Sequence, residues 1–579
     1  MESKSSYIAK AKNYRKGKNS MTGALKSADG EELLTEPEHI SQRWKQYFEA
    51  LLNVEDLMRE NDENLVHEEV VNDGNYGEMD EITREEVINA IKKMKNGKAT
   101  GEDGIPSEIF KALDDVGVTW LRRIFNIAWD EGRIPDDWRR AIVCPIYKKG
   151  DKTRCENYRG ISLLSHAGKI YERVLEQRLR GLVEEKIGKW QHGFRPGKGT
   201  VDLIFAMKLL LEKDWEWNKD KYAVFIDMEK AFDRVPRKKL WEALGHEEYG
   251  IPGKLKRAIK SILYETMSKV RGRDMESEWF EVRTGVRQGG VISPLLFIIY
   301  MDRCMKEICD DDNEITFAYA DDIAVITDNE QQLQNAMNRW ENTLRTREMK
   351  INVNKTEVMY VGRRNVEVGV EVGSERLKQV TSFKYLGVCF EKENKQDIEL
   401  NNRICKYNSN ISMLYPLLKD RNIPRKCKTT IYTTILRPIL TYGSEAWTLT
   451  SRTRSKIQAA EMRVLRMIKG VTRRDRMRND EIRRELGVVS ILEMVERSKL
   501  RWYGHVQRMN ENQFPRKYLE YRPQGRRPVG RPRRRWIEGV GEALAARGSS
   551  LTEVEREETF ANRQEWRRIV HRYSVADRH

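Results

Sequence analysis

Three aspartates carry the chemistry that this sequence offers. Asp321 and Asp322 are adjacent in TFAYADDIAVIT, surrounded by alanine, aromatic and β-branched residues with no base nearby, and Asp227 closes the apolar run AVFID. Unpaired charge set among apolar residues is expensive to bury, so something must compensate it. If the two runs are strands lying side by side, the three carboxylates converge on one sheet edge. Such hard oxygen ligands suit magnesium, which keeps water and substrate phosphates in its shell. Two ions roughly 3.5 to 4 Å apart would activate an attacking oxygen and stabilise a leaving one in phosphoryl transfer. A lone Asp-Asp pair is common in exposed turns; its weight here comes from Asp227 and the FIDMEKAFD stretch around it.

The elements that must position these groups can be read from patterning. AIVCPIY (141–147) has the character of a strand and ENYRGISLL (156–164) that of its partner. KYAVFIDMEKAFDRV (221–235) predicts a strand ending in a helix start, and GVRQGGVISPLLFIIYMDRCMKEI (285–308) a glycine turn opening an apolar helix. After Asp322 come a helix in NEQQLQNAMNRWENTLRTREM and one strand each in KTEVMYVG and SFKYLGVCF. Upstream, ISQRWKQYFEALLN (40–53) places Trp44, Tyr47, Phe48 and Leu51 along one stripe of a docking helix. Thr83 and Glu86 form a capping box for a helix that Gly97 ends. From about Glu391 the text is helical, then Arg-rich with Pro and Gly. This irregular alternation predicts a mixed α/β (α+β) layer structure, not a doubly wound sheet, and no fixed-period repeat points to a solenoid or propeller.

Composition narrows the class. A hydrophobic content of 39% over 579 residues suits a globular protein with a large core. The longest apolar run, VISPLLFIIYM, holds Ser and Pro and falls short of the roughly 20 residues of a spanning helix. The start, MESKSSYIAKAKNYRKGKNS, has no apolar signal core, so no signal peptide, transmembrane segment or membrane partner is expected. Seven scattered cysteines without a C-x-x-C pair point to a reduced, intracellular protein without structural zinc. The net charge of +16 is unevenly placed: residues 29–87 hold 19 acidic against 4 basic side chains, and residues 451–540 hold 25 basic against 10 acidic. The C-terminal quarter is therefore where a polyanion would be gripped.

FIDMEKAFDRV, GVRQGGVISPLLF, YADD, KINVNKTEVM and FKYLGV, in this order, resemble the palm motifs of reverse transcriptases. KNGKATGEDGIPSEIFK, NYRGISLLSHAGKIYERVL and QHGFRPGKGTVDLIF resemble the fingers of the non-LTR, or long interspersed element type, retrotransposon branch, and RPILTYGSEAWTLT and KLRWYGHVQRM the segments that follow its polymerase. The resemblance implies a right-hand polymerase: an N-terminal linker over 1–82, fingers over 83–220, an antiparallel-sheet palm over 221–390, a helical thumb over 391–470 and a basic C-terminal nucleic-acid-binding region over 471–579. It implies an RNA-directed DNA polymerase that copies its element's RNA from a 3′-hydroxyl primer with RNA template, DNA primer and deoxynucleotides as partners.

Carried over residue by residue, the resemblance makes Asp227, Asp321 and Asp322 the ligands of two magnesium ions, for which manganese can substitute. Arg159 clamps the incoming triphosphate with a planar bidentate cation and Lys148 is a second phosphate contact. Phe232, whose bland reading is a core aromatic, blocks a ribose 2′-hydroxyl; Gln288 and Gly289 form the turn lying close to nucleotide and template; Lys355 donates a proton to the leaving pyrophosphate. Phe383, Tyr385, Leu386 and Gly387 hold the primer end. An endonuclease, which the family's larger proteins carry before or after the polymerase, is expected to be absent from this chain, so a separate endonuclease is a candidate partner, and the place of action is expected to be the nucleus. In QGRRPVGRPRRRW, Arg526, Arg527, Arg531, Arg533, Arg534 and Arg535 are read as nucleic-acid contacts, a minor-groove hook, an RNA grip or a nuclear localisation patch. A catalytically decayed protein that only binds nucleic acid is the alternative.

Overall fold

The computed structural model describes residues 23–53, 79–272, 275–309 and 314–572. The basic start of the chain and most of the acidic segment, 54–78, lie outside the described residues.

Strands β1 (Arg140–Tyr147) and β2 (Tyr158–Leu163) pair antiparallel with Tyr147 opposite Tyr158, as their sequences predict. Strand β3 (Lys221–Ile226) belongs to a second sheet, while β4 (Thr266–Val270) and β5 (Phe280–Val282) extend the first into the order β2-β1-β4-β5. The second sheet is completed by β6 (Glu314–Tyr319), β7 (Asp322–Thr327), β8 (Glu357–Val361) and β9 (Lys378–Gln379), in the order β9-β8-β3-β7-β6. A hairpin of β10 (Ser382–Tyr385) and β11 (Val388–Glu391) follows.

The central sheet is buried on both faces, which is why its strands read as continuous apolar runs without polar alternation. In β3, Tyr222, Val224 and Ile226 enter one core, and Ala223 and Phe225 enter another. Ahead of the sheets run α1 (Pro37–Leu52) and α2 (Arg84–Lys92). The first core is closed by α3 (His166–Val183), then, beyond α4 (Thr200–Glu216), by α5 (Ser293–Ile308) and α6 (Glu330–Thr346). Past α7 (Asp397–Lys419) and α8 (Ser451–Lys469) come α9 (Ile491–Gln507), α10 (Phe514–Glu520), α11 (Trp536–Ala545) and α12 (Arg563–His571). The second core joins α4 to α9, α10, α11 and α12. The C-terminal helices are thus not a free basic appendage; they cover the back of the central sheet. Residues from Leu400 to Val495, mostly of α7, α8 and the turns between them, form a separate helical core, which runs past the boundary at 470 drawn from sequence. Helix α1 docks as expected, burying Ile40, Trp44 and Phe48 against β1, β4 and β5.

Four local expectations change. Residues 228–234 form turns instead of a helix start: Met228 is bridged to Ile351, Pro236 disfavours helical geometry at Val235, and the helix begins only at Arg237. SFKYLGVCF is a hairpin, because Leu386 and Gly387 take φ of +45° and +82° and fold it back. The run FAYADD is not one strand: Asp321 stands in a turn and Asp322 opens β7. Helix α2, opened by its Thr83–Glu86 capping box, ends at Lys92, ahead of Gly97.

Candidate active site

Register does the first work. Strand β3 pairs antiparallel with β7, Ile226 opposite Ile323, so one step further Asp227 faces Asp322 across the two central strands. Strands β6 and β7 form a hairpin in which Tyr319 pairs with Asp322, leaving Ala320 and Asp321 as the turn. The three carboxylates therefore occupy one sheet edge.

The turn is strained and firmly held. Ala320 has φ of +57°, a left-handed conformation that costs a residue with a Cβ roughly 1–2 kcal/mol. Fully buried Gln191 compensates: its Oε1 accepts from Ala320 N at 2.8 Å and from Gly193 N at 2.8 Å, and its Nε2 donates to Ala320 O at 3.3 Å. The segment bearing it runs beside β6, Ala318 N donating to Trp190 O at 3.1 Å and His192 N to Ala318 O at 2.9 Å. A Cβ at Gly193 would overlap Ala320 N, so only glycine admits this approach. Sequence reading missed Gln191; the one available signal was an amide in a glycine-rich run before an apolar helix.

Asp227 is fixed by the loop after α6. Its N–H donates to Thr356 Oγ1 at 3.2 Å, its carbonyl accepts from Asn352 N at 2.8 Å, and Lys355 Nζ stands 3.5 Å from Asp227 Oδ2. Crowding pushes the Asp321 and Asp322 carboxyls up from their ordinary values: burial is the largest cause for both. For Asp322, repulsion by Asp321 and then Asp227 comes next and carries it to about 6. Asp322 remains open to water on one side. Facing the carboxylates is a second cluster, of cations. Lys148 is lowered by burial and then by Arg159 and Lys355, and Lys148 and Arg159 both pull the Asp322 carboxyl down. Strand β2 carries Arg159 opposite Ile146 of β1.

The other expected residues fall into two groups. Phe232 is half-buried, stacked on Phe297 of α5 at a centroid distance of 4.2 Å and meeting Phe194 edge-on at 6.2 Å. Gln288 Nε2 donates to Asp233 Oδ1 at 2.6 Å, its carbonyl accepts from Ser162 N at 2.7 Å, and burial, only partly offset by that hydrogen bond, raises Asp233 to about 6. Gly289, with φ of +140°, lies against the Ser162 carbonyl, where a Cβ would overlap. The close approach that excludes a side chain is thus to β2, and it ties the Arg159 strand to the glycine turn ahead of α5. The proposed primer residues point inward: Phe383 stacks on Phe225 at 3.8 Å, and buried Tyr385 donates to Phe317 O at 3.0 Å and Asp322 O at 3.3 Å. Tyr442 Oη donates to Leu386 O at 2.9 Å and Arg403 donates to Gly387 O. The exposed side chain of this hairpin's first strand is Lys384.

Several of the C-terminal arginines are engaged within the protein itself. Arg535 Nε donates to Glu216 at 2.7 Å, Arg527 pairs with Glu216 at 3.0 Å, and Arg534 pairs with Glu542. Arg533 donates to Glu393 O at 2.6 Å and lies 4.3 Å over the Trp215 ring. Arg526 and Arg531 stay exposed.

Among the described residues no three His, Cys, Asp or Glu side chains stand close enough to cage a metal ion as they are. The donor set itself fits magnesium: three carboxylates on one edge, two held above their ordinary pKa, with one side open to water.

A carboxylate-bearing hairpin turn at the edge of an antiparallel sheet, faced by a basic strand of a second sheet, is the arrangement of a right-hand polymerase. Residues 146–390 match the reverse transcriptase (RNA-dependent DNA polymerase) family, so the chain carries a reverse transcriptase domain. Among curated relatives, the RNA-directed DNA polymerase from mobile element jockey of Drosophila melanogaster is 30% identical, the match covering 70% of this chain and 46% of that protein. The probable RNA-directed DNA polymerase from transposon X-element of Drosophila melanogaster is 26% identical over 78% of this chain and 52% of that protein. The chain spans about half the length of these relatives. The resemblance to the non-LTR branch read from the motifs holds. A solved structure of telomerase from Candida Tropicalis in complex with a fragment of telomeric RNA matches at 14% identity, covering 70% of this chain and 68% of that one, with a TM-score of 0.35.

Proposed function

We propose that this chain is an RNA-directed DNA polymerase that extends a 3′-hydroxyl on the RNA of a non-LTR retrotransposon, with 83–220 as fingers, 221–390 as palm and 391–470 as the start of a thumb whose core continues to Val495. The supporting observation is the sheet edge where Asp227, Asp321 and Asp322 repel one another opposite Lys148 and Arg159. Magnesium bound by the three carboxylates would supply Lewis-acid activation of the primer hydroxyl and of the leaving pyrophosphate.

The chain's own residues do the rest. Arg159 and Lys148 hold the triphosphate of the incoming nucleotide over the carboxylates, and Lys355, beside Asp227, holds the proton that pyrophosphate takes as it leaves. Phe232 is wedged between Phe297 and Phe194, so its ring cannot yield to a 2′-hydroxyl, and deoxynucleotides are selected. Gln191 and Tyr385 are positioning residues, gripping the Asp321 turn from either side. Lys384 replaces its inward neighbours as the contact to the primer backbone.

Primer extension on an RNA template tests the reading. The purified chain should make cDNA with magnesium and none with chelator, and D321N/D322N should abolish extension while retaining RNA binding. Extension that survives in D321N/D322N would overturn the site assignment.

A further inference from the structure

We infer that a second anion site, built for phosphate groups, lies on the back of the central sheet beneath the arch 527–536. It does not depend on the polymerase reading. The arch is anchored to α4 at one end by Arg527 on Glu216, and at the other by Arg535, also on Glu216, and by Trp536 N, which donates to both oxygens of Glu212 at 3.0 and 3.1 Å. Between these anchors Val529 to Arg531 stand away from the protein, and a cavity of about 750 Å³ opens beneath them. That is the size of a small-molecule or nucleotide pocket.

The lining says what it would hold. Nine basic side chains line it with four acidic ones; Arg527 and Arg535 are taken by Glu216, Arg534 by Glu542 and Lys395 by Glu393, which leaves Lys208, Arg363, Lys392, Arg531 and Arg533 without a carboxylate partner among the described residues. Two buried donors lining the cavity, Lys208 Nζ and Arg534 Nε, have no acceptor. Lys208 is more than nine-tenths buried; Glu212, Glu391 and Glu399 act on its charge through space, and none accepts a hydrogen bond from it. A buried donor without a partner costs about 1–3 kcal/mol, which an anionic oxygen would recover. Beside them Arg533, at 4.3 Å, and Arg363, at 5.7 Å, lie over the ring of buried Trp215, which holds two more cations at the cavity wall, where phosphate oxygens could meet them. The ligand class is therefore a phosphate-bearing one, whether a free nucleotide or a single-stranded phosphodiester chain.

Photo-crosslinking of the full chain tests the site, with 8-azido-ATP and a 4-thiouridine RNA 15-mer as separate probes and peptides mapped by mass spectrometry. The expected result is labelling of peptides containing 205–216 or 527–536, competed by tripolyphosphate, unchanged in D321N/D322N, and reduced about tenfold in Lys208→Met and in Arg531→Ala, the latter an exposed change that leaves the fold intact. Labelling by RNA alone identifies a strand, and labelling by ATP alone a nucleotide. Absence of label from both peptides, or label that neither substitution reduces, would overturn the inference and leave those donors to water.

Discussion

Glu461 in α8 and the Asp227, Asp321 and Asp322 group meet the same problem, a carboxylate taken partly out of water, and meet it oppositely. Glu461 is fully buried, and both its oxygens are used: Arg483 donates from Nε at 3.1 Å and Nη2 at 2.7 Å, Tyr432 Oη donates at 3.2 Å and Ile491 N at 2.9 Å. Burial pushes its carboxyl up, and Arg483 then pulls it down. Burial also pushes Asp322 up, but the next influences, Asp321 and Asp227, push it further. Among the described residues the close cation contact of the aspartate group is that of Lys355 with Asp227, at 3.5 Å. A charge satisfied within the chain holds the fold; charges left in mutual repulsion at an open edge hold something from outside.

Removing the charge at each place should separate the two roles. D321N/D322N should lower primer extension by more than about a thousandfold, because groups acting as one catalytic unit are not separately dispensable, while the urea midpoint stays within error or rises. Glu461→Ala should do the reverse. It leaves the buried Arg483 guanidinium with exposed Asp480 as its remaining carboxylate, costing about 3 kcal/mol in urea unfolding, while activity per folded molecule stays near wild type. A Glu461→Ala protein that kept its stability and lost extension would break the comparison.

Next in size is nucleotide selection. Phe232→Val removes the ring held by Phe297 and Phe194, so incorporation of ribonucleotides relative to deoxynucleotides should rise about ten- to a hundredfold, the range that a few methylenes of pocket shape command. An unchanged ratio would return Phe232 to being a core aromatic. Gln191→Leu removes three hydrogen bonds from the Asp321 turn. It should cost about 1–3 kcal/mol and lower kcat about tenfold with little change in the KM for deoxynucleotide, and Ala320→Gly, which relieves the left-handed strain, should restore part of the stability.

How much of this was legible in the sequence depended on range. Strands β3 and β6 declared themselves as apolar runs, and the aspartates that follow them, Asp227 and the Asp321–Asp322 pair, gave the candidate site before any geometry. Capping at Thr83 and the stripe of α1 were local signals and held. What failed was set by distant partners. Met228 and Ile351 pair across more than a hundred residues and keep 228–234 from becoming helix. Glu216 captures Arg535 across a still longer span, so a run that reads as a nucleic-acid grip is partly a strap. Tyr385 turned inward because Phe317 and Asp322 offer carbonyls behind the hairpin, which no pattern within FKYLG could announce.

The smallest expected effect sharpens the comparison most, because it needs no catalysis. Asp322 has an ordinary value of 3.8 and stands at about 6 in the folded chain, so between those pH values the folded state binds more proton than the unfolded one. Stability contributed by this group therefore falls as pH rises from about 4 to about 6, and the penalty persists in full above that. Asp322→Asn removes the penalty. With chelator present, the variant should melt above wild type at pH 7.5 and together with it near pH 3.5; since Asp322 is open to water, the gap should be about 1–2 °C. Magnesium should close the gap from the wild-type side, raising its Tm at pH 7.5 and leaving the variant less affected. Glu461 gives the control: Glu461→Gln should melt below wild type at pH 7.5, since Arg483 then loses its buried charged partner and keeps the exposed Asp480. If Asp322→Asn also melted below wild type at pH 7.5 without divalent ions, the aspartates would be a satisfied structural cluster like Glu461, and the distinction between the two regions would fail.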